Sequence, residues 1–382
     1  MVRPADAVTN VERRFTSELH ETRNAAVLGI AVGVSFGTCF LTGLLSHLIQ
    51  HPPSWFEWPS RPAGVYRVTQ GVHVTTGFAS IPILLAKLWT VFPRFWTWPP
   101  FRNVAHAVER ISLVPLVAGG LFLLFSGVAN VARWYPYPFF FPSAHYWTAW
   151  LTIGAMIAHI GAKASLTRDA LRRDPPAEMA PARSSERRAF LGGVAATTGL
   201  VAFAVAGGTV RPLSRFAALA QRRPAEGPQG LPVNKTAGGA GLVKLASDPA
   251  YRLQVEGNVR RPLALSLDEL SALPQYEAEV PIACVEGWSR SARWRGVRVR
   301  DLVAMAGAGA TEAGVGVESL QRSGRYRRST LNSSHVHDHE TLLALELNGE
   351  PLHLDHGYPV RLIAPNLPGV LQTKWVGRLV VL

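Results

Sequence analysis

Five stretches of the chain are continuously apolar, and each is close to the length of a bilayer-crossing helix. Residues 25–47, 68–86, 111–132, 144–162 and 189–210 contain no Asp, Glu, Lys or Arg. About 20 apolar residues span the hydrocarbon core as a helix, the form in which a segment satisfies its own backbone in lipid. Aromatic residues crowd their ends: Trp55, Trp58, Trp96, Trp98, Trp134, Tyr135 and Tyr146, as in an interfacial belt. Residues 211–231 are rich in Arg, Pro, Gly and Ala and read as a linker. Beyond them the pattern becomes globular. Strands are expected at 251–255 and 360–363, and a short helix at 265–273 with Ser266 as N-cap. Turns are expected at Asn348-Gly349 and His356-Gly357. The expected architecture is an all-α membrane bundle of four helices plus a fifth anchor helix, followed by an α+β domain. The segments are 1–175, 176–230 and 231–382.

The chain has 382 residues, 48% apolar and 17% charged, with 39 Lys and Arg against 26 Asp and Glu. That composition excludes a disordered chain. The net charge of +13 is unevenly placed and points to a membrane surface rather than nucleic acid. Arg3, Arg13, Arg14 and Arg23 precede the first apolar stretch. Arg94, Arg102 and Arg110 follow the second, and Lys163, Arg168, Arg172, Arg173, Arg183, Arg187 and Arg188 follow the fourth. The other two loops hold only Arg61, Arg67 and Arg133. By the positive-inside rule the N-terminus is cytoplasmic and the C-terminal domain lies outside, in a multi-pass cell-membrane protein. Before the fifth stretch stands SSERRAFLGG. Its paired arginines ahead of a Gly- and Ala-rich apolar run resemble a twin-arginine export signal, a route that carries domains already folded around a cofactor. The other reading is a basic cluster that only fixes topology.

Histidine within an apolar span is costly and usually functional. The fourth stretch carries His145 and His159, fourteen residues apart. Helical geometry puts both on nearly one face, roughly 21 Å apart along the axis. That spacing suits two stacked haems, each taking one ligand from this helix. Depth pairs His73 with His145 and His106 with His159; His47 and His20 are alternatives. Without a CxxCH motif the haems would be b-type. The arrangement resembles the di-haem cytochrome b subunits of formate dehydrogenases and nickel–iron hydrogenases, over about residues 18–173.

Cys39 and Cys284 are the only cysteines, which excludes a disulfide scaffold or a four-cysteine metal site. Cys39 lies in an apolar stretch, so the two are not expected to pair. Taken by itself, Cys284 could be a core residue, a nucleophile or a soft-metal ligand. Its surroundings, ACVEGWS then WRG, are followed by LNGEPLHLDHGYPVRLIAPN and GVLQTKWV. Together these motifs resemble the oxidoreductase molybdopterin-binding domain of the sulfite oxidase and sulfoxide reductase family, across about 231–382. The resemblance implies that Cys284 ligates molybdenum beside a pterin dithiolene. It implies that Arg361 pairs with the pterin phosphate, that His356 is a polar pterin contact, and that Gln372, Thr373 and Lys374 form the loop wrapping the cofactor. Asn234 and Ser319 correspond to further contacts. Arg290 and Arg293, with Arg295, follow the cysteine and would suit an anionic or dipolar S–O substrate. The dimerisation domain of animal and plant sulfite oxidases is not expected, which resembles the short bacterial branch.

The run HVHDH, 335–339, resembles the zinc run of metallo-β-lactamase-like hydrolases but lacks one residue, and an exposed polar loop is the competing reading. The resulting expectation is a membrane-anchored molybdenum oxidoreductase doing oxygen-atom transfer. It would exchange electrons with quinone or quinol through b-type haem. Its substrate would be a sulfoxide, such as methionine sulfoxide in exported proteins, or a sulfite-like donor. The competing class is a non-catalytic pterin- or anion-binding protein on a haem-free anchor.

Overall fold

The computed structural model describes residues 17–96, 103–172, 180–220, 222–223, 225–308 and 314–382. Arg3, Arg13, Arg14, Trp98, Arg102 and Arg173 lie outside the described residues. Five helices are long and apolar enough to cross a membrane. They are α1 (Thr22–Gln50), α2 (Val65–Val91), α3 (Val104–Val131), α4 (Phe141–Arg172) and α5 (Ala180–Ala206). Each contains its expected apolar stretch except at one end: the last residues of 111–132 and 189–210 lie beyond α3 and α5. The SSERRAFLGG segment is not a loop before α5 but part of the helix itself.

The chain divides into two compact units that do not follow chain order. The first comprises Met1–Leu41 and His73–Val205. In it α3 and α4 approach closely at Gly119, where a Cβ would lie 2.2 Å from Thr152 Oγ1. Only glycine permits that approach, as is common where membrane helices pack.

The second unit comprises Thr42–Val72 and Ala206–Leu382. Its C-terminal part is α+β. The strands are β1 (Leu253–Gly257), β2 (Leu263–Leu265), β3 (Tyr276–Ala283), β4 (Ser289–Arg298) and β5 (Val315–Ser319). They continue with β6 (Arg328–Leu331), β7 (Leu342–Leu347), β8 (Glu350–Pro351), β9 (Arg361–Ile363) and β10 (Val376–Val381). One sheet has the order β2-β1-β10-β5-β6; the other runs β3-β4-β7-β8, with β9 also on β7. Only the β1–β10 pair is parallel. The main core joins alternating apolar residues of the first sheet, such as Leu253, Val255, Val317 and Leu379, with Val297, Leu343 and Leu362 of the second.

The expected strand at 251–255 begins two residues later, because Asp248 to Tyr251 form a turn closed by Tyr251 N–H to Asp248 O. The strand at 360–363 is β9, one residue shorter. The expected short helix is Leu267–Ala272, and Ser266 and Glu269 form a reciprocal capping box. Asn348 and Gly349 both have positive φ (54° and 89°) between Leu347 and its partner Glu350. Two left-handed residues make the two-residue turn that Asn-Gly favours.

Candidate functional site

Cys284 sits at the tip of the β3–β4 hairpin. Its N–H donates to Trp288 O at 2.9 Å, and Gly287 N–H donates back to Cys284 O at 3.0 Å. Gly287 has φ 87°, which a side chain would resist. The sulfur is buried and accepts from Asn234 Nδ2 at 2.7 Å and from Glu286 N–H at 3.5 Å. Burial, and then the Glu286 carboxylate, push the thiol up to about 12. Glu286 is itself held by Arg222 Nε at 3.0 Å and by Trp288 Nε1 at 3.3 Å.

A cluster of buried cations lies in the same unit. Arg361, on β9, is 5% exposed; its Nη1 donates to His356 O at 3.0 Å, and its guanidinium faces the Trp294 ring at 5.4 Å. Lys374 Nζ donates to Lys235 O and Asp355 O, both at 2.7 Å. The imidazole of His356 bonds through Nε2 to Pro228 O at 2.7 Å. Burial lowers Arg361 to about 9. Burial and then Arg361 lower Lys374 to about 7 and His356 to about 4. Burial and mutual repulsion both disfavour the charged forms of these groups, and a bound anion would favour them. Gly357, with φ 115°, lets the chain turn between them; a Cβ there would lie 3.1 Å from Lys374 Cβ and 3.2 Å from Arg361 Cβ.

Several side chains remain short of partners. Asn234 Oδ1, Arg361 Nε and Gln372 Oε1 are buried without a hydrogen bond. Buried polar atoms rarely stay so, and these are the atoms a polar, anionic cofactor would satisfy. Gln372 Nε2 donates to Leu367 O at 3.0 Å, and Thr373 bonds to Ser329 at 2.7 Å. Ser319 Oγ donates to Lys374 O at 2.8 Å, so it acts on the Lys374 loop.

The arginines after Cys284 separate. Arg290 pairs in register with Ile282 and shares strand parity with Ala292 and Trp294, which pack with Cys284. Arg293 and Arg295 have the opposite parity. Arg293 is exposed, with a guanidinium nitrogen 3.4 Å from where a Cβ on Gly349 would lie, and Arg295 pairs with Glu346 at 2.6 Å. Arg293 is therefore not brought together with Cys284. Residues 335–337 belong to a short helix, Ser333–His337. His335 bonds to Asn332 at 2.7 Å and Asp338 pairs with Arg61 at 2.9 Å. Among the described residues no three His, Cys, Asp or Glu side chains converge on a metal position.

In the first unit the rings of His73 and His145 meet edge to face, with centroids 6.1 Å apart and planes at 78°. His73 Nδ1 lies 2.8 Å from Cys39 O, and His145 Nδ1 lies 2.8 Å from Ser126 Oγ. Both imidazoles thus make these contacts through Nδ1. His106 stands at the start of α3, where its N–H donates to Asn103 Oδ1. His159 Nδ1 is buried without a partner. Of the alternatives, His20 stacks on Trp89 at 4.5 Å and His47 on His51 at 4.8 Å.

The sequence reading passed over Glu286, Arg222, Lys235 and Asp355. Glu286 stands inside ACVEGWS, Lys235 directly follows Asn234 and Asp355 directly precedes His356, so adjacency was a usable signal; Arg222 gave none.

Residues 240–382 match the family described as the oxidoreductase molybdopterin binding domain. The C-terminal region is a molybdopterin-binding oxidoreductase domain. Human mitochondrial sulfite oxidase is 36% identical over 161 residues, covering 35% of this chain and 30% of that protein. The uncharacterized oxidoreductase YuiH of Bacillus subtilis is 36% identical over 127 residues, covering 33% and 62%. A protein of Azospira oryzae, provisionally named protein-methionine-sulfoxide reductase subunit YedZ1, is 33% identical over 132 residues, covering 35% and 49%. The chain thus spans from under a third to under two thirds of these relatives. The molybdopterin domain contains every proposed pterin contact except Asn234, which lies just before the matched residues.

Proposed function

We propose that the protein is a membrane-anchored molybdenum oxidoreductase that transfers an oxygen atom to or from a sulfur-oxo substrate and exchanges electrons with quinone through b-type haem. The observation that carries the reading is the buried Cys284 sulfur, held by Asn234, in one unit with Arg361, whose buried Nε has no hydrogen bond, and with Lys374. The molybdenum–pterin group supplies the oxygen-atom and two-electron chemistry when bound.

The chain's own residues bind and orient. Cys284 provides the single protein sulfur, and loss of its proton on ligation follows from the metal's charge. Asn234 fixes the direction of that sulfur. Arg361 and Lys374 would hold the phosphate, Arg361 with a planar fork suited to it. His356, held neutral by burial and then by its cationic neighbours, would contribute a polar contact without adding charge. Gln372 and Thr373 set the loop, and Ser319 anchors it through Lys374 O. Arg290 draws the substrate's S–O dipole toward the Cys284 face. Arg293, exposed on the opposite strand face, contributes little.

In the membrane part, His73 and His145 would hold one haem through Nε2, and His106 with His159 a second. The N-terminus would be cytoplasmic and the molybdopterin domain outside. The names of the relatives support sulfite-type oxidation and methionine-sulfoxide reduction as the two directions. Element analysis of the purified full chain, with a reduced-minus-oxidised spectrum, tests the assignment. Molybdenum near one per chain with a b-type band is expected; a chain purified from molybdenum-replete cells without molybdenum would overturn it.

A further inference from the structure

Residues 42–72 belong to the same compact unit as the molybdopterin domain, and their contacts with it are specific and polar. Arg61 makes a two-point pair with Asp338, at 2.9 and 3.1 Å, and also reaches Glu340. Ser60 N–H donates to Ser334 Oγ at 2.9 Å, and Asn332 Nδ2 to Trp58 O at 2.8 Å. Asn366, buried and left-handed at φ 53°, uses both ends of its amide. Its Oδ1 accepts from Tyr66 N–H at 3.0 Å, and its Nδ2 donates to Pro59 O at 3.0 Å. The first bond satisfies one of the donors left free in the first turn of α2.

This segment reaches the Cys284 hairpin. Tyr66 is buried against Ala283 together with Ile49, and its ionisable neighbours are Cys284 and Tyr326. Gln70 Nε2 donates to Val285 O at 2.9 Å, at the residue after the cysteine. Gln50 Nε2 donates to Tyr326 Oη at 3.0 Å.

We propose that Gln50, Tyr66 and Gln70, at the facing ends of the first two apolar helices, are positioning residues that form a fixed wall of the Cys284 site, with residues 51–64 as the clamp that holds them there. The inference builds on the molybdenum reading for its catalytic consequence only. A hydrogen bond to a backbone carbonyl in a five-residue hairpin tip limits where the adjacent sulfur can move. The helix ends thus belong to the site rather than serving only as an anchor for it.

The test uses the full chain in detergent. Ser60→Cys combined with Ser334→Cys puts two thiols where hydroxyl oxygens lie 3.2 Å apart. Mild oxidation should link the two positions in most molecules, read as a joined peptide by mass spectrometry, while each single variant gives none. Failure to link overturns the clamp. Gln70→Ala tests the positioning role. Alkylation of Cys284 by iodoacetamide in cofactor-free protein should accelerate about fivefold, the loss expected from one hydrogen bond. In the loaded protein kcat should fall by a similar factor with KM and molybdenum content unchanged. Unchanged alkylation and unchanged kcat would overturn it. Linking and alkylation need no molybdenum. A chain that links but binds no metal therefore contradicts the function and leaves the wall standing.

Discussion

At the scale of single residues, the site depends on how few groups surround the Cys284 sulfur. Asn234 donates to it at 2.7 Å, Glu286 raises it and Arg222 neutralises Glu286. Cys284→Ser should abolish turnover and molybdenum retention while leaving any haem band intact; retained activity would contradict the ligand role. Removing an orienting neighbour is milder: Asn234→Ala should lower activity by roughly 10- to 100-fold, the usual cost of losing a group that orients a metal ligand. Arg290 and Arg293 separate the two faces of β4. Arg290→Met should raise KM for sulfite or a sulfoxide about tenfold, a loss of about 1.4 kcal/mol, whereas Arg293→Met should leave it unchanged. Equal effects in the two variants would show that strand parity does not decide which arginine meets substrate.

At the scale of elements, two short devices make measurable contributions. Ser266→Ala removes the reciprocal cap of the Leu267–Ala272 helix and should cost about 1 kcal/mol in the unfolding of the C-terminal unit. The Arg61–Asp338 pair is pH-dependent. Burial pushes the Asp338 carboxyl up, but hydrogen bonds from Arg61, the Glu340 N–H and Ser60, with the Arg61 charge, together hold it below its ordinary value. A depressed carboxyl contributes stability above its unfolded value, roughly pH 4, and loses it as the pH falls through the folded value. Arg61 is 46% exposed, so solvent screening limits the pair to about 1 kcal/mol. Arg61→Ala should therefore melt earlier than the parent at pH 7, with a gap that narrows as the pH falls below about 4; a gap that stays constant would contradict the linkage. These elements also show what the sequence could tell. The Ser266 cap, the Asn348-Gly349 turn and the five apolar helices were legible because local chemistry decides each of them. The start of β1 was shifted by a turn at Asp248, and the separation of Arg290 from Arg293 needed the β3–β4 register. The contacts of Gln50, Arg61 and Gln70 with residues more than 200 positions away carry no local signal at all.

At the scale of the whole molecule, the described residues combine five helices able to cross a membrane with a molybdopterin domain that holds the desolvated cations Arg361 and Lys374. Under the proposed function the two parts would form one electron path. His145→Ala should remove about one haem and break that path while leaving molybdenum in place, because His145 and Cys284 belong to different units. The most direct measurement follows the haem band of the purified full chain under anaerobic conditions. Chemically reduced protein receives methionine sulfoxide, and oxidised protein receives sulfite, each beside Cys284→Ser. The account predicts that one of the two additions changes the band in the parent and neither does in the variant. A band that ignores both substrates, or that responds equally in Cys284→Ser, would contradict it.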